Sequence, residues 1–263
     1  MKVLIDKNKS KEGKKVEVEM EAPFASAIID PPWPYTYAPG DLEGFTAKEG
    51  QTPLSGFIQG GKSAAQYNTL SIREMAELPI GKLVGGYILL WTTMPFLPAA
   101  LLLLEGWDFG YITGMCWGKY NMERALTNGG RGDYGGVGFW FLGNHELCLL
   151  GKKKGVPSIR TGRSSLFLAK KQSHSQKPER VHVLIEDYFP KPFVEIFGRT
   201  PRKDWKIIGD GQGVGFNTDG PKEGGYTKDY LKSDYGLEPT VLSSEWLSKL
   251  HSLQGLTRKQ KGA

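Results

Sequence analysis

Short apolar runs alternate along the chain with segments of helical period. FASAII (24–29) ends at Asp30 and is stopped by Pro31 and Pro32, which predicts a buried strand of a parallel sheet. Further buried strands are predicted at 86–92 (GYILLWT), 110–117, 146–150 and 193–197 (FVEIF, closed by Gly198), with a short one at 205–208. Between them, Ser71-Ile72-Arg73-Glu74 fits a capping box that opens a helix. Residues 95–105 read as a helix ended by Gly106. Residues 177–188 read as another, with Val181, Leu184 and Ile185 on one face. VEVEM (16–20) alternates and predicts an edge strand. This order of strands and helices predicts an α/β, doubly wound sheet. Segments 34–66 and 120–138 show no apolar period and read as long loops, candidates for target recognition. Residues 1–210 are taken as the main domain. Residues 211–263 are a glycine-rich linker and a short helical extension, in which Ser243 or Ser244 caps a helix carrying Trp246, Leu247, Leu250 and Leu253. Its expected role is packing on the main domain.

Composition narrows the class. With 263 residues, 39% of them hydrophobic, one sizeable core is sufficient. The longest apolar stretch, 87–104, is interrupted by Thr92, Thr93 and two prolines, and so predicts no membrane span. The first residues are too polar for a signal peptide. Cys116 and Cys148 lie in apolar runs and read as small buried hydrophobes in a reducing compartment. A soluble, cytoplasmic protein is expected. The net charge of +6 is compatible with a polyanionic partner and carries little weight alone. No metal is expected, because His145-Glu146 lacks a third ligand and the histidines are scattered. That pair is given a structural or substrate-side role, with Trp117 read as core and Lys119 as surface.

Asp30-Pro31-Pro32-Trp33 is the candidate for chemistry. Ligand sites lie at the carboxyl ends of parallel strands. The carboxylate of Asp30 and the carbonyl of Pro31 offer two acceptors for an amino group bearing two hydrogens. The prolines fix φ and make the pair rigid. Trp33 offers a flat face for a base, where stacking is worth about 1–3 kcal/mol. Hydrogen bonds to both amino hydrogens favour a pyramidal nitrogen with a localised lone pair. Methylating such a nitrogen needs positioning more than acid–base machinery. The same tetrapeptide also reads as nothing more than a turn after a strand, and by itself it does not separate the two.

An ordered set of motifs resembles the MT-A70 family of adenine-N6 methyltransferases over about residues 24–210. The set is IIDPPW (28–33), YNTLSIREM (67–75), YILLWTT (87–93), CWGK (116–119), GNHELCLLGKKKG (143–155), SQKPE (175–179) and VEIFGR (194–199), followed by Trp205. The resemblance implies a permuted, Rossmann-like, S-adenosylmethionine-dependent methyltransferase, with the catalytic strand before the cofactor-binding strand. It assigns catalysis to Asp30, Pro31, Pro32 and Trp33. Cofactor binding falls to Asp30, Ser175, Lys177, Glu195, Phe197, Gly198 and Arg199, and Asp210 stands where relatives often carry Asn. Tyr67 and Asn68 match a segment near the target base. Arg124, Arg131, Lys153, Arg160 and Arg163 are candidates for phosphate contact, against the plainer reading of a solvated basic face. The expected activity is methyl transfer to adenine N6 with DNA as the favoured partner, the target base being flipped or single-stranded. RNA adenine, cytosine N4 and a non-catalytic nucleic-acid-binding subunit are the alternatives.

Overall fold

In chain order the strands and helices begin β1 (Lys2–Asp6), β2 (Lys15–Glu19), β3 (Phe24–Ile29), α1 (Ile72–Glu77), α2 (Ile80–Leu83), β4 (Val84–Thr92) and α3 (Leu97–Gly106). They continue β5 (Gly110–Lys119), α4 (Met122–Thr127), β6 (His145–Lys152), β7 (Leu166–Ala169), α5 (Glu179–Tyr188), β8 (Phe193–Ile196), β9 (Trp205–Ile208) and α6 (Ser244–Arg258). This computed structural model describes residues 1–7, 15–33, 70–129, 132, 141, 143–171, 176–198, 200–209, 231–232 and 234–253, and the backbone of 254–258.

Among the described residues, seven strands form one sheet in the order β7-β5-β6-β4-β3-β8-β9. All six residues of β3 are buried, as a central strand requires. It pairs parallel with β4 on one side and β8 on the other. The expected α/β sheet is therefore present, with one departure: β6 runs antiparallel to both β4 and β5. The reason lies in the connection before it. A parallel return needs a crossover that travels back along the sheet. The only helix in that connection, among the described residues, is the six-residue α4, and the chain re-enters where it left. Segment 120–138, read as a structureless loop, thus contains a short helix, capped by Asn121 Oδ1 accepting from the N–H of Glu123 and Arg124.

One face of the sheet is covered by α1, α2, α3 and α6, through Ile72, Met75, Leu103, Trp246 and Leu250 among others. The other is covered by α5 and by β1 and β2, through Val181, Ile185, Val3 and Ile5. The alternating segment 16–20 is not an edge of the main sheet; β2 pairs antiparallel with β1 in a separate ribbon. Ser71 forms the expected capping box with Glu74. Ser243 caps α6, accepting from the N–H of Trp246 at 3.1 Å. The Trp246 indole N–H donates to the Leu102 carbonyl at 2.8 Å, which docks α6 on α3. Among the described residues, no helix is long and apolar enough to cross a membrane.

Candidate active site

Asp30 is the first residue beyond β3, and its N–H donates to the Ile196 carbonyl at the end of β8 (3.3 Å). The turn that follows is tight: the Trp33 N–H donates back to the Pro31 carbonyl at 2.9 Å, and the Leu70 N–H donates to the Pro32 carbonyl at 3.1 Å. Among the described residues, this leaves one Pro31 carbonyl lone pair beyond the turn. Trp33 departs from expectation. Its ring is 3% exposed, stacks on Phe96 with centroids 5.2 Å apart, and donates its indole N–H to the Trp91 carbonyl at 3.1 Å. The apolar ring is packed into the core and anchors the turn, rather than standing as an open face for a base.

A chain of alternating charges crosses the same end of the sheet. Lys177, two residues before α5, donates to Asp30 Oδ2 at 2.8 Å and lies 3.4 Å from Glu146 Oε2. Glu146 Oε1 is 2.6 Å from Lys119 Nζ. These four groups come from the carboxyl ends of β3 and β5, the amino end of β6 and the approach to α5. The antiparallel register makes the meeting possible, placing Trp117 opposite Glu146 and Trp91 opposite Cys148. Lys177 lies over the Trp91 ring and Lys119 over the Trp117 ring, and the two indoles meet edge to face. Burial pushes the Glu146 carboxyl up, but Lys177 and Lys119 outweigh it and hold the group below its ordinary range. Burial, reinforced by the Asp30 charge, pushes the Cys148 thiol far up, so it remains a protonated apolar neighbour.

The end of β8 adjoins Asp30. Glu195 is 3.0 Å from His182 Nε2 on α5, and His182 packs edge to face against Trp205. Phe197 has φ of 65°, a left-handed conformation uncommon in a bulky residue and seen mostly where the surroundings impose it. Gly198 is confined: a Cβ there would lie 2.8 Å from Ile207 Cγ2 and 2.9 Å from Glu195 Cγ.

The structure thus brings together Asp30, Pro31, Lys177, Glu195, Phe197 and Gly198. Arg124, on α4 just past the carboxyl end of β5, lies at the same end of the sheet. Lys153 does not. It follows the far end of β6, where its Nζ donates to the Trp107 carbonyl and to Asp108. The Arg160 N–H donates to the Lys7 carbonyl beside the β1–β2 ribbon, and the Arg163 side chain donates to Tyr188 at the carboxyl end of α5. Tyr67, Asn68, Arg131, Ser175, Arg199 and Asp210 lie outside the described residues. Sequence reasoning missed Glu146 as a partner of Lys177 and read Lys119 as surface. The signal lay in the pairing of β5 with β6, which no local pattern announces.

Comparison with known proteins gives the family. The pattern of the MT-A70 family matches residues 24–211, which includes β3 through β9 and every described member of the site. The chain is similar to the Type II methyltransferase M.MunI of Mycoplasma sp, 27% identical over 182 residues that cover 67% of this chain and 72% of that protein. A strand-end carboxylate held by a lysine, on a mostly parallel sheet whose whole span matches the family, identifies the chain as a methyltransferase belonging to the MT-A70 family.

Proposed function

We propose that this protein methylates the N6 amino group of adenine in DNA, with S-adenosylmethionine as donor, on a permuted fold in which β3 carries catalysis and β8 holds the cofactor. The observation that carries the reading is the fixed Asp30 carboxylate next to the Pro31 carbonyl in a turn closed by the Trp33 N–H. Together they accept both hydrogens of an exocyclic amino group and hold its nitrogen in one orientation.

The residues present fit the cofactor. Lys177 is a fixed cation for a carboxylate, and Glu195 is a carboxylate for ribose hydroxyls. Gly198 lets Ile207 and the Glu195 side chain pack against the end of β8, and among the described residues the buried Trp91 indole N–H has no hydrogen-bond partner. Lys177, Glu195, Phe197 and Gly198 would hold the group, which supplies an electrophilic methyl on a sulfonium when bound. The net charge of +6 and Arg124 at the site end suit a polyanionic substrate. A relative named as a Type II methyltransferase supports methyl transfer.

Matched DNA and RNA oligonucleotides incubated with protein and S-adenosylmethionine, then digested for nucleoside mass spectrometry, test the reading. The expected product is N6-methyladenine in DNA, lost with Asp30→Ala. Methyl groups only in RNA or only on cytosine N4 would replace the proposed target. Absence of any product would refute the proposal.

A further inference from the structure

We propose that Glu146 and Lys119, which neither the motif match nor the comparisons assign, form a positioning clamp for Lys177 and, through it, for Asp30. The inference rests on the proposed function only for its kinetic consequence; its geometric part stands without it.

Lys177 is held from two sides, by Asp30 Oδ2 at 2.8 Å and Glu146 Oε2 at 3.4 Å, and its side chain is 14% exposed. A lysine head has three donors on a flexible four-carbon stem, and one carboxylate contact leaves it free to swing. The second carboxylate removes that freedom. Glu146 is fixed in turn: its other oxygen is 2.6 Å from Lys119, and both of those side chains are 15% exposed. Two neighbouring carboxylates without a cation between them repel, and one takes up a proton. With Lys177 between Asp30 and Glu146, and Lys119 on the outer oxygen, that repulsion is offset and Glu146 is held below its ordinary range. The Asp30 carboxylate then keeps its orientation as long as the chain of charges is intact. Glu146 sits in β6 opposite Trp117, and Lys119 ends β5, so both ends of the clamp are built on paired strands rather than on a loop. A site on regular elements holds its geometry more tightly than one on loops.

The readout is the NH3+ resonance of Lys177 in the full-length protein without ligand, measured by nitrogen-15 NMR and assigned by its loss in Lys177→Met. A clamped lysine head gives a slowly exchanging, observable signal. Glu146→Gln and Lys119→Met should each broaden or abolish it, while circular dichroism confirms that the fold is kept. Persistence of the Lys177 signal in Glu146→Gln, or its absence from the wild type, overturns the clamp.

A double-mutant cycle gives the kinetic arm. Glu146→Gln should lower kcat by about tenfold or more, but in a Lys177→Met background it should change the residual rate by less than about twofold, because the two residues act as one unit. Effects that simply multiply would overturn the inference. A wild type that transfers no methyl group refutes the proposed function and leaves the NMR arm to decide the clamp.

Discussion

Trp33 separates two roles for the tetrapeptide. If its ring anchors the turn, trimming it destabilises the protein; if it is a platform for the target base, trimming it weakens target binding with the fold intact. In the structure the ring is 3% exposed, stacked on Phe96, and bonded to the Trp91 carbonyl. Trp33→Ala removes a buried indole and leaves a cavity, which costs about 3–5 kcal/mol. Trp33→Phe keeps the stack on Phe96 but leaves the Trp91 carbonyl without this donor, which costs about 1–3 kcal/mol. In a domain of this size each kcal/mol lowers the melting temperature by about 2–4 °C. Trp33→Ala should therefore melt roughly 10 °C below the wild type, with Trp33→Phe in between. Urea denaturation with unchanged slope supplies the stability change, and oligonucleotide titration of the folded variant supplies affinity. The anchoring role predicts target affinity for Trp33→Phe close to that of the wild type. A Trp33→Ala protein as stable as the wild type that had lost about 1–3 kcal/mol of target affinity would refute the anchoring role.

Other consequences follow from single contacts. Glu146 is held below its ordinary value of 4.5, so it contributes stability that is present above that value and is lost as pH falls through its lower folded value. The gap in urea midpoint between wild type and Glu146→Gln should thus be widest near neutrality and close below about pH 4.5. Gly198→Ala places a methyl group 2.8 Å from Ile207 and 2.9 Å from Glu195. It should cost about 1–3 kcal/mol and weaken S-adenosylmethionine binding, measured by calorimetry, through displacement of Glu195. Trp246→Ala removes the indole that bonds Leu102 and packs α6 on α3. Limited proteolysis should then cut α6 before any strand of the sheet, and the melting temperature should fall, the substitution costing about 3–5 kcal/mol.

Most of the sheet was legible in the sequence because its central strands are apolar almost throughout. FASAII, with Asp30 and two prolines directly after it, permits few structures other than a buried strand with a carboxylate at its end. Ser71 and Ser243 were legible as caps because capping chemistry is local in sequence. What escaped was set by pairing between distant segments. An apolar run such as LCLL reads the same in a parallel or an antiparallel strand, so the direction of β6, and with it the meeting of Glu146 with Lys119 and Lys177, carried no local mark. Trp33 follows two prolines, which suggests an exposed loop; only the packing of Phe96 and the Trp91 carbonyl around it shows that the ring turns inward. Lys177 was found through the motif resemblance, its contact with Asp30 spanning 147 residues.

The charge arrangement bears on what kind of catalysis this end of the sheet supports. Asp30, Lys177, Glu146 and Lys119 alternate in sign and are joined by contacts of 2.6 to 3.4 Å, on a floor made by Trp91 and Trp117. A general base works best with its pKa near the operating pH. Glu146 is shifted the other way, so it remains ionised and serves as a fixed anion. Neither thiol is poised as a nucleophile, since burial pushes both Cys148 and Cys116 above the ordinary range. Oriented acceptors and a held cation remain, and these assist a reaction by positioning groups before it begins. Methylation of an exocyclic amine makes that demand: its nitrogen must present a lone pair along one line, and its two hydrogens must be held while it does so. Under the proposed function, Asp30 and the Pro31 carbonyl meet that demand only while the turn is shut by the Trp33 N–H and the carboxylate is held in place by Lys177. Stability and chemistry at this site therefore depend on the same contacts, and perturbing either the anchored indole or the charge chain should change both together.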